Sequence, residues 1–332
     1  MVHKVDISYK TVVFAVFFVI GLWFLYLIKD IILSLFVAFI LMSALRPFVE
    51  KLEKYRVPRG LSIGIIYILV IFIISFIGSV IFPPLVNETT KLFKTISPVG
   101  GLPIFYQEIL NFFKNLNFDA FTKISPYSGN VMDLVRTIIA IFDSIVSTLG
   151  LFVFTFYLLL ERKYLSNILG SFLGEASAKR GVEIVTRVED RLGSWVRGQI
   201  LLCLAVGILS FIGLTILNIP YALPLALIAA ILEIVPIIGP IISGIPAVLI
   251  ALATSPGMAL IVVLLYFVIQ QIENNLIVPN VFNKIVGLRP VLTIIALMIG
   301  GKLMGIGGVI LSIPTVLVIQ TIIQEVIKDR AK

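Results

Sequence analysis

Residues 233–246 read EIVPIIGPIISGIP, and the reading of this stretch decides the fold. It lies inside an apolar run long enough to cross a bilayer, yet it holds three prolines, two glycines, a serine and a glutamate. Proline removes a backbone donor and breaks a helix; glycine permits a tight turn. In lipid an unpaired backbone group is costly, so broken backbone at depth survives only inside protein or beside a water-filled cavity. VPIIGP is therefore expected at the tip of a hairpin with arms 221–235 and 241–253. Both arms are short for a full crossing, which points to a re-entrant pair of half-helices. Two ordinary spans joined by a normal loop are the alternative.

The surroundings of this stretch place it in a membrane. Of 332 residues, 59% are hydrophobic and 13% charged, and the mean hydropathy is +1.12. Soluble domains carry about 45–50% apolar and about 25% charged residues, so the chain reads as an all-α polytopic membrane protein. Cys203 is the single cysteine and His3 the single histidine. An intrachain disulfide, a cysteine-based zinc site and a histidine base are thereby excluded, and no cofactor is expected. No nucleotide-binding GxxxxGKS loop occurs, so energy for any transport must come from gradients. The net charge of +8 does not indicate a nucleic-acid surface, because the basic residues flank apolar spans. A cleaved leader is not expected, since a second apolar run follows the first at once.

A helix needs about 20 apolar residues to cross the hydrocarbon core. Six full spans are expected at 11–28, 31–45, 61–82, 137–160, 198–219 and 258–272. Loop 46–60 carries five basic residues and 161–197 carries seven. The positive-inside rule places both loops and both termini in the cytoplasm of a plasma-membrane protein. Residues 86–136 then lie outside. There Phe105, Ile109, Phe112, Phe113 and Leu116 recur at helical spacing, as in an amphipathic cap or a subunit contact. Val182, Val185, Val188, Leu192 and Trp195 form a second stripe, expected to be an interfacial helix. The expected units are 1–85, 86–136, 137–197 and a transport region, 198–332.

A repeat supports the hairpin. LPLALIAAILEIVPIIGPIISGIPAVLIAL has a counterpart in RPVLTIIALMIGGKLMGIGGVILSIPTVLVIQ at 289–320. Pro224 aligns with Pro290, a broken centre follows in each, and SGIPAVLI faces LSIPTVLV. A second hairpin is thus expected over 289–327, opposed to the first at 221–253, because one span separates them. Two opposed broken hairpins near the midplane are a recurrent arrangement of secondary transporters, with the solute at the tips. Ionisable residues at depth are functional candidates. Glu233 is expected to carry a proton or cation, accept solute, or pair with Lys302 at the second tip; Asp143 fits the outer interface. Gln271, Asn274 and Asn275 fall within one helical turn, as a polar wall or an ordinary helix end.

FYLLLERKYL (156–165), WVRGQIL (195–201), residues 219–249, IENNLIVPNVFNKIVGLRP (272–290) and GGKLMGIGGVILSIPTVL resemble the autoinducer-2 exporter (AI-2E) family. The likeness is specific from about 140 to 327. It implies a transporter with two hairpins at the substrate site, a homo-pentamer and an elevator-like movement. Some members are similar to exporters of the quorum signal, others to sodium or lithium/proton antiporters. The proline–glycine motif transfers to Pro236, Gly239, Pro240, Gly244 and Pro246; the ENN…P motif transfers to Glu273, Asn274, Asn275 and Pro279.

The expected function is export of a small polar solute such as autoinducer-2, not enzymatic catalysis. A monovalent cation/proton antiporter and a non-transporting scaffold are the alternatives. The expected binding set is Glu233, Pro236, Gly239, Pro240, Ser243, Gly244, Gln271, Asn274, Asn275, Gly301, Lys302, Gly305 and Ser312, with a proton or sodium site at Glu233.

Overall fold

The computed structural model describes residues 9–96, 131–236, 238–282 and 290–330. The expected outer cap at 103–117 lies outside them. The described residues are helical throughout: α1 (Tyr9–Leu27), α2 (Lys29–Lys54), α3 (Arg59–Ile96) and α4 (Val131–Glu161) come first. A 3₁₀ turn leads to α5 (Leu165–Leu173) and α6 (Glu175–Ile216). Then come α7 (Ala222–Leu232), α8 (Ile238–Thr254), α9 (Pro256–Ile272), a π-helical turn (Glu273–Ile277), α10 (Val278–Phe282) and α11 (Pro290–Arg330). Among the described residues, five helices are long and apolar enough to cross a membrane. Large apolar side chains cover their outer faces, for instance Ile200, Leu204, Ile208 and Ile212 on α6. A surface of this kind is stable against lipid, not against water.

The organising element is α6. Its 42 residues reach about 63 Å at 1.5 Å per residue, twice the roughly 30 Å hydrocarbon thickness. The 182–195 stripe, expected as an interfacial helix, is the first half of this continuous helix. Val188, Leu192 and Trp195 pack against Ile40 of α2 and Ile313 and Leu317 of α11. That stripe is covered by protein because small residues let the helices close: a Cβ on Gly193 would lie 2.1 Å from the Ser43 carbonyl oxygen of α2. Close backbone approach at small residues is the general way helices associate in lipid.

Charge fixes the same end. Glu189 on α6 is 1% exposed and is held by Arg46 of α2 and by Arg162 after α4. Arg162 Nε donates to both carboxylate oxygens, at 2.6 and 2.8 Å, and its other arm reaches Thr186. Arg187 pairs with Glu325, and Arg191 donates to Thr321 and Gln324, which ties the end of α11 to α6.

The second half of α6 packs on α7, α8 and α9. Leu214, Leu225, Ala247, Ala251 and Val262 form one cluster; Val206, Ala229 and Ile269 form another. Leu225 near the start of α7 touches the cluster that holds Ala251 near the end of α8, so the two arms fold back on each other. The turn begins at Glu233, and α8 starts at Ile238. The expected break at VPIIGP is therefore shifted: Gly239 and Pro240 belong to the first turn of α8. A proline costs little there, since the first-turn amides have no partner within the helix. Glycine is required at 239, where a Cβ would lie 2.1 Å from the Leu232 carbonyl oxygen.

The last helix is also two arms, 290–303 and 306–330, broken at Met304 (φ −142°) and Gly305 (φ 58°, ψ −139°). A Cβ on Gly308 would sit 2.0 Å from the Gly300 carbonyl oxygen, and one on Gly300 would sit 2.3 Å from that of Gly308. The backbones of the two arms are in direct contact at these glycines. Each pair of arms carries a proline within its second helix, Pro246 and Pro314.

Candidate functional site

The site is built where α7 ends. Glu233 caps α7 and is fully buried. At the turn Gln199 of α6, itself 4% exposed, donates to the Glu233 carbonyl oxygen at 2.6 Å. The Glu233 side chain faces Glu273, the first residue of the π-helical turn. Glu273 is 4% exposed and accepts from Gln270 Nε2 at 3.0 Å. Neither Glu233 carboxyl oxygen has a hydrogen-bond donor among the described residues. Cys203 of α6 borders the same spot, next to Gln199 and Glu233.

Two carboxylates have only acceptors to offer each other. Facing each other in a buried place, they repel unless a proton or a cation lies between them. The arrangement is thus suited to hold one positive charge and to release it. Among the described residues there is no group of three or more histidine, cysteine, aspartate or glutamate side chains that would hold a metal ion. A multivalent metal centre is therefore a poor fit to this pair.

The other expected site residues divide. Pro236 and Pro240 are half-buried at the turn, and Gly239, Ser243 and Gly244 are buried beside it. Ser243 Oγ donates to the Pro240 carbonyl oxygen at 3.1 Å. In the last helix Ser312 Oγ donates to Val309 O at 2.6 Å, a matching local bond ahead of Pro314. Lys302 and Gly305 are exposed and Gly301 is half-buried, whereas Glu233 is fully buried. The α11 arms pack on α6 and make no extensive contact with α7 or α8 among the described residues. Among the described residues the carboxyl group of Glu233 neighbours Glu273, and Lys302 is exposed.

Gln271, Asn274 and Asn275 are exposed; Asn275 Nδ2 caps the Gln271 carbonyl oxygen at 3.0 Å. The inward members of that cluster are Gln270 and Glu273. The family motif names Glu273, whereas Gln199 and Gln270 are not in the expected binding set, although their stripe positions are visible in the sequence. Ala259, Val262, Tyr266, Ile269 and Glu273 follow three- and four-residue steps on α9. Leu192, Trp195, Gln199, Leu202, Val206, Ser210 and Leu214 do so on α6. Each polar residue interrupts an otherwise apolar buried stripe.

Residues 12–328 match the sequence profile of the AI-2E family transporter. The chain belongs to the AI-2E transporter family. It is 29% identical over 321 residues to the putative transport protein YueF of Bacillus subtilis, covering 92% of this chain and 86% of that one. It is 27% identical to YrrI of the same organism, over 96% of this chain and 93% of that one. Similarity extends to the AI-2 transport protein TqsA of Escherichia coli, 22% identical over 90% of this chain and 86% of that one. Membership in the AI-2E family makes the chain a multi-pass membrane transport protein and not an enzyme.

Proposed function

We propose that this chain is a secondary transporter whose driving step is the binding and release of a proton or monovalent cation between Glu233 and Glu273. The single observation that carries this reading is a fully buried carboxyl group, without a donor among the described residues, facing a second carboxyl group at a break between two helices. Glutamates at depth are costly and are retained for ion or proton handling. The orientation proposed is the one the basic loops favour, with the Arg46–Glu189–Arg162 end in the cytoplasm. Gln199 holds the turn between α7 and α8, so a change at the carboxyl pair reaches the first hairpin directly.

A second reading, export of a small polar solute such as autoinducer-2, is supported by the similarity to TqsA. The two are compatible: the ion supplies the energy and the first hairpin carries the solute. An elevator-like displacement of the hairpins within a homo-pentamer belongs to this proposal.

The test is flux in proteoliposomes under imposed proton, sodium or lithium gradients. Glu233→Gln and Glu273→Gln should each abolish ion-driven flux while the protein stays folded. Undiminished ion-driven flux in both variants would overturn the reading.

A further inference from the structure

Two facing stripes contain a second polar layer that the carboxyl pair does not use. On α6 the buried stripe runs Val206, Ser210, Leu214; on α9 it runs Val262, Tyr266, Ile269. Val206 shares a cluster with Ile269, and Leu214 shares one with Val262. The two stripes are therefore antiparallel in register, and Ser210 stands level with Tyr266. Tyr266 packs against both clusters, which confirms its place between them. Gly213 lies against Leu265 and Gly244 of α8 against the Tyr266 ring, so three helices close around this level.

Ser210 is fully buried. Neither its Oγ nor the buried Tyr266 hydroxyl has a hydrogen-bond partner among the described residues. A buried hydroxyl without a partner is costly and is normally met by protein or by ordered water. Two of them on facing helices at one level are not explained by packing, for which alanine and phenylalanine would serve as well.

Their position along the helices gives them a use. Tyr266 is seven residues from Glu273, about 10 Å along α9. Beyond Ser210, α6 runs about 9 Å further to its end at Ile216. There a cavity of about 370 Å³ opens at the end of the bundle opposite the arginine cluster, lined by Phe211, Thr215, Asn218, Ile219 and Tyr221. Asn218 and Tyr221 hold left-handed backbone, at φ 53° and 64°. Asparagine tolerates that conformation and tyrosine rarely adopts it. The order from the cytoplasmic side is then carboxyl pair, apolar layer, hydroxyl layer, apolar layer, open cleft.

We infer that the Ser210 and Tyr266 hydroxyls form a water-holding relay site, through which the proton or hydrated monovalent cation passes between the Glu233–Glu273 pair and the outer cleft. The inference rests on the proposed ion-coupled reading. It adds the route: inside the α6–α7–α8–α9 bundle of one chain, not between the two hairpin tips. The Val206–Ala229–Ile269 and Leu214–Ala247–Val262 layers on either side are the barriers that hydration crosses when the ion moves.

The experiment has two arms. In proteoliposomes, the double variant Ser210→Ala with Tyr266→Phe should lose most ion-driven flux. Its thermal stability should stay close to that of the parent, because deleting these hydroxyls removes hydrogen bonds to water and none to protein among the described residues. In a Cys203→Ser background, Ser210→Cys should react with a small membrane-impermeant thiosulfonate added from the cleft side. Undiminished flux in a protein whose flux still depends on Glu233, or full protection of the cysteine at 210, would overturn the relay. Flux independent of Glu233 would instead sink the ion-coupled reading, and the labelling arm alone would then decide whether the layer is hydrated.

Discussion

Replacing Gly308 by alanine tests the fold of the last helix at its tightest point. The new Cβ would lie 2.0 Å from the Gly300 carbonyl oxygen and 2.7 Å from its carbonyl carbon. Both are backbone atoms, so no rotamer change relieves the clash. An ordinary contact of this type needs about 3.3 Å or more, so the arms must part by more than about 1 Å at this level. Overpacking of this kind costs about 1–3 kcal/mol. The cost falls near the upper end here, because the inter-arm packing around Gly300 and Ser312 opens with it. Gly307 supplies the control one residue away. A Cβ there meets nothing within 4 Å, and alanine should be neutral or stabilise by about 0.4–1 kcal/mol through the unfolded chain. The assay is thermal unfolding of the two variants in the same detergent, followed by size-exclusion fluorescence. Gly308→Ala should unfold well below the parent and Gly307→Ala at or above it. Equal midpoints for Gly308→Ala and the parent would refute the folded-back arms.

Three further outcomes are expected. Glu189→Ala removes a buried carboxylate shared by Arg46 and Arg162; Arg46 keeps Glu50 and Asp190 while Arg162 keeps Thr186, so the loss should cost about 1–3 kcal/mol, read as a lower unfolding midpoint. Gln199→Leu removes the Gln199 bond to the Glu233 carbonyl oxygen and should destabilise by about 0.5–1.5 kcal/mol, with a matching fall in unfolding midpoint. Ser255 caps α9 by accepting from the Met258 amide at 3.1 Å, so Ser255→Ala should cost about 0.5–2 kcal/mol in the same unfolding assay while ion flux at the carboxyl pair is retained.

Much of the architecture was legible before any coordinates. The breaks after Leu232 and at 304–305 fall where proline and glycine gather in apolar runs. Helices α2, α3, α6 and α9 occupy the long uncharged stretches. Both follow from local rules: lipid demands satisfied backbone, and only certain residues end a helix. The stripe at 182–195 is amphipathic and runs on into the following span, as its periodicity predicts. Its apolar side chains meet α2 and α11 because α6 continues unbroken past the expected boundary. Local periodicity reports that a face is apolar, not what covers it.

The candidate site was legible in half. Sequence alone singled out Glu233, since it is the only charge in a long apolar region, and a charge at depth needs a reason. Its partner was decided by tertiary structure. Lys302 had the complementary charge and a place at the matching tip, yet the α11 arms pack on α6 and leave Lys302 exposed. Glu273 had the same charge and looked like part of an ordinary helix end, yet it faces Glu233. The choice depends on the azimuth and register of helices far apart in the chain. Those are set where Gly198 admits Phe282, Gly207 admits Ala230 and Gly213 admits Leu265. Composition and periodicity fix what each helix buries; only the close approach of these backbones fixes which buried groups meet.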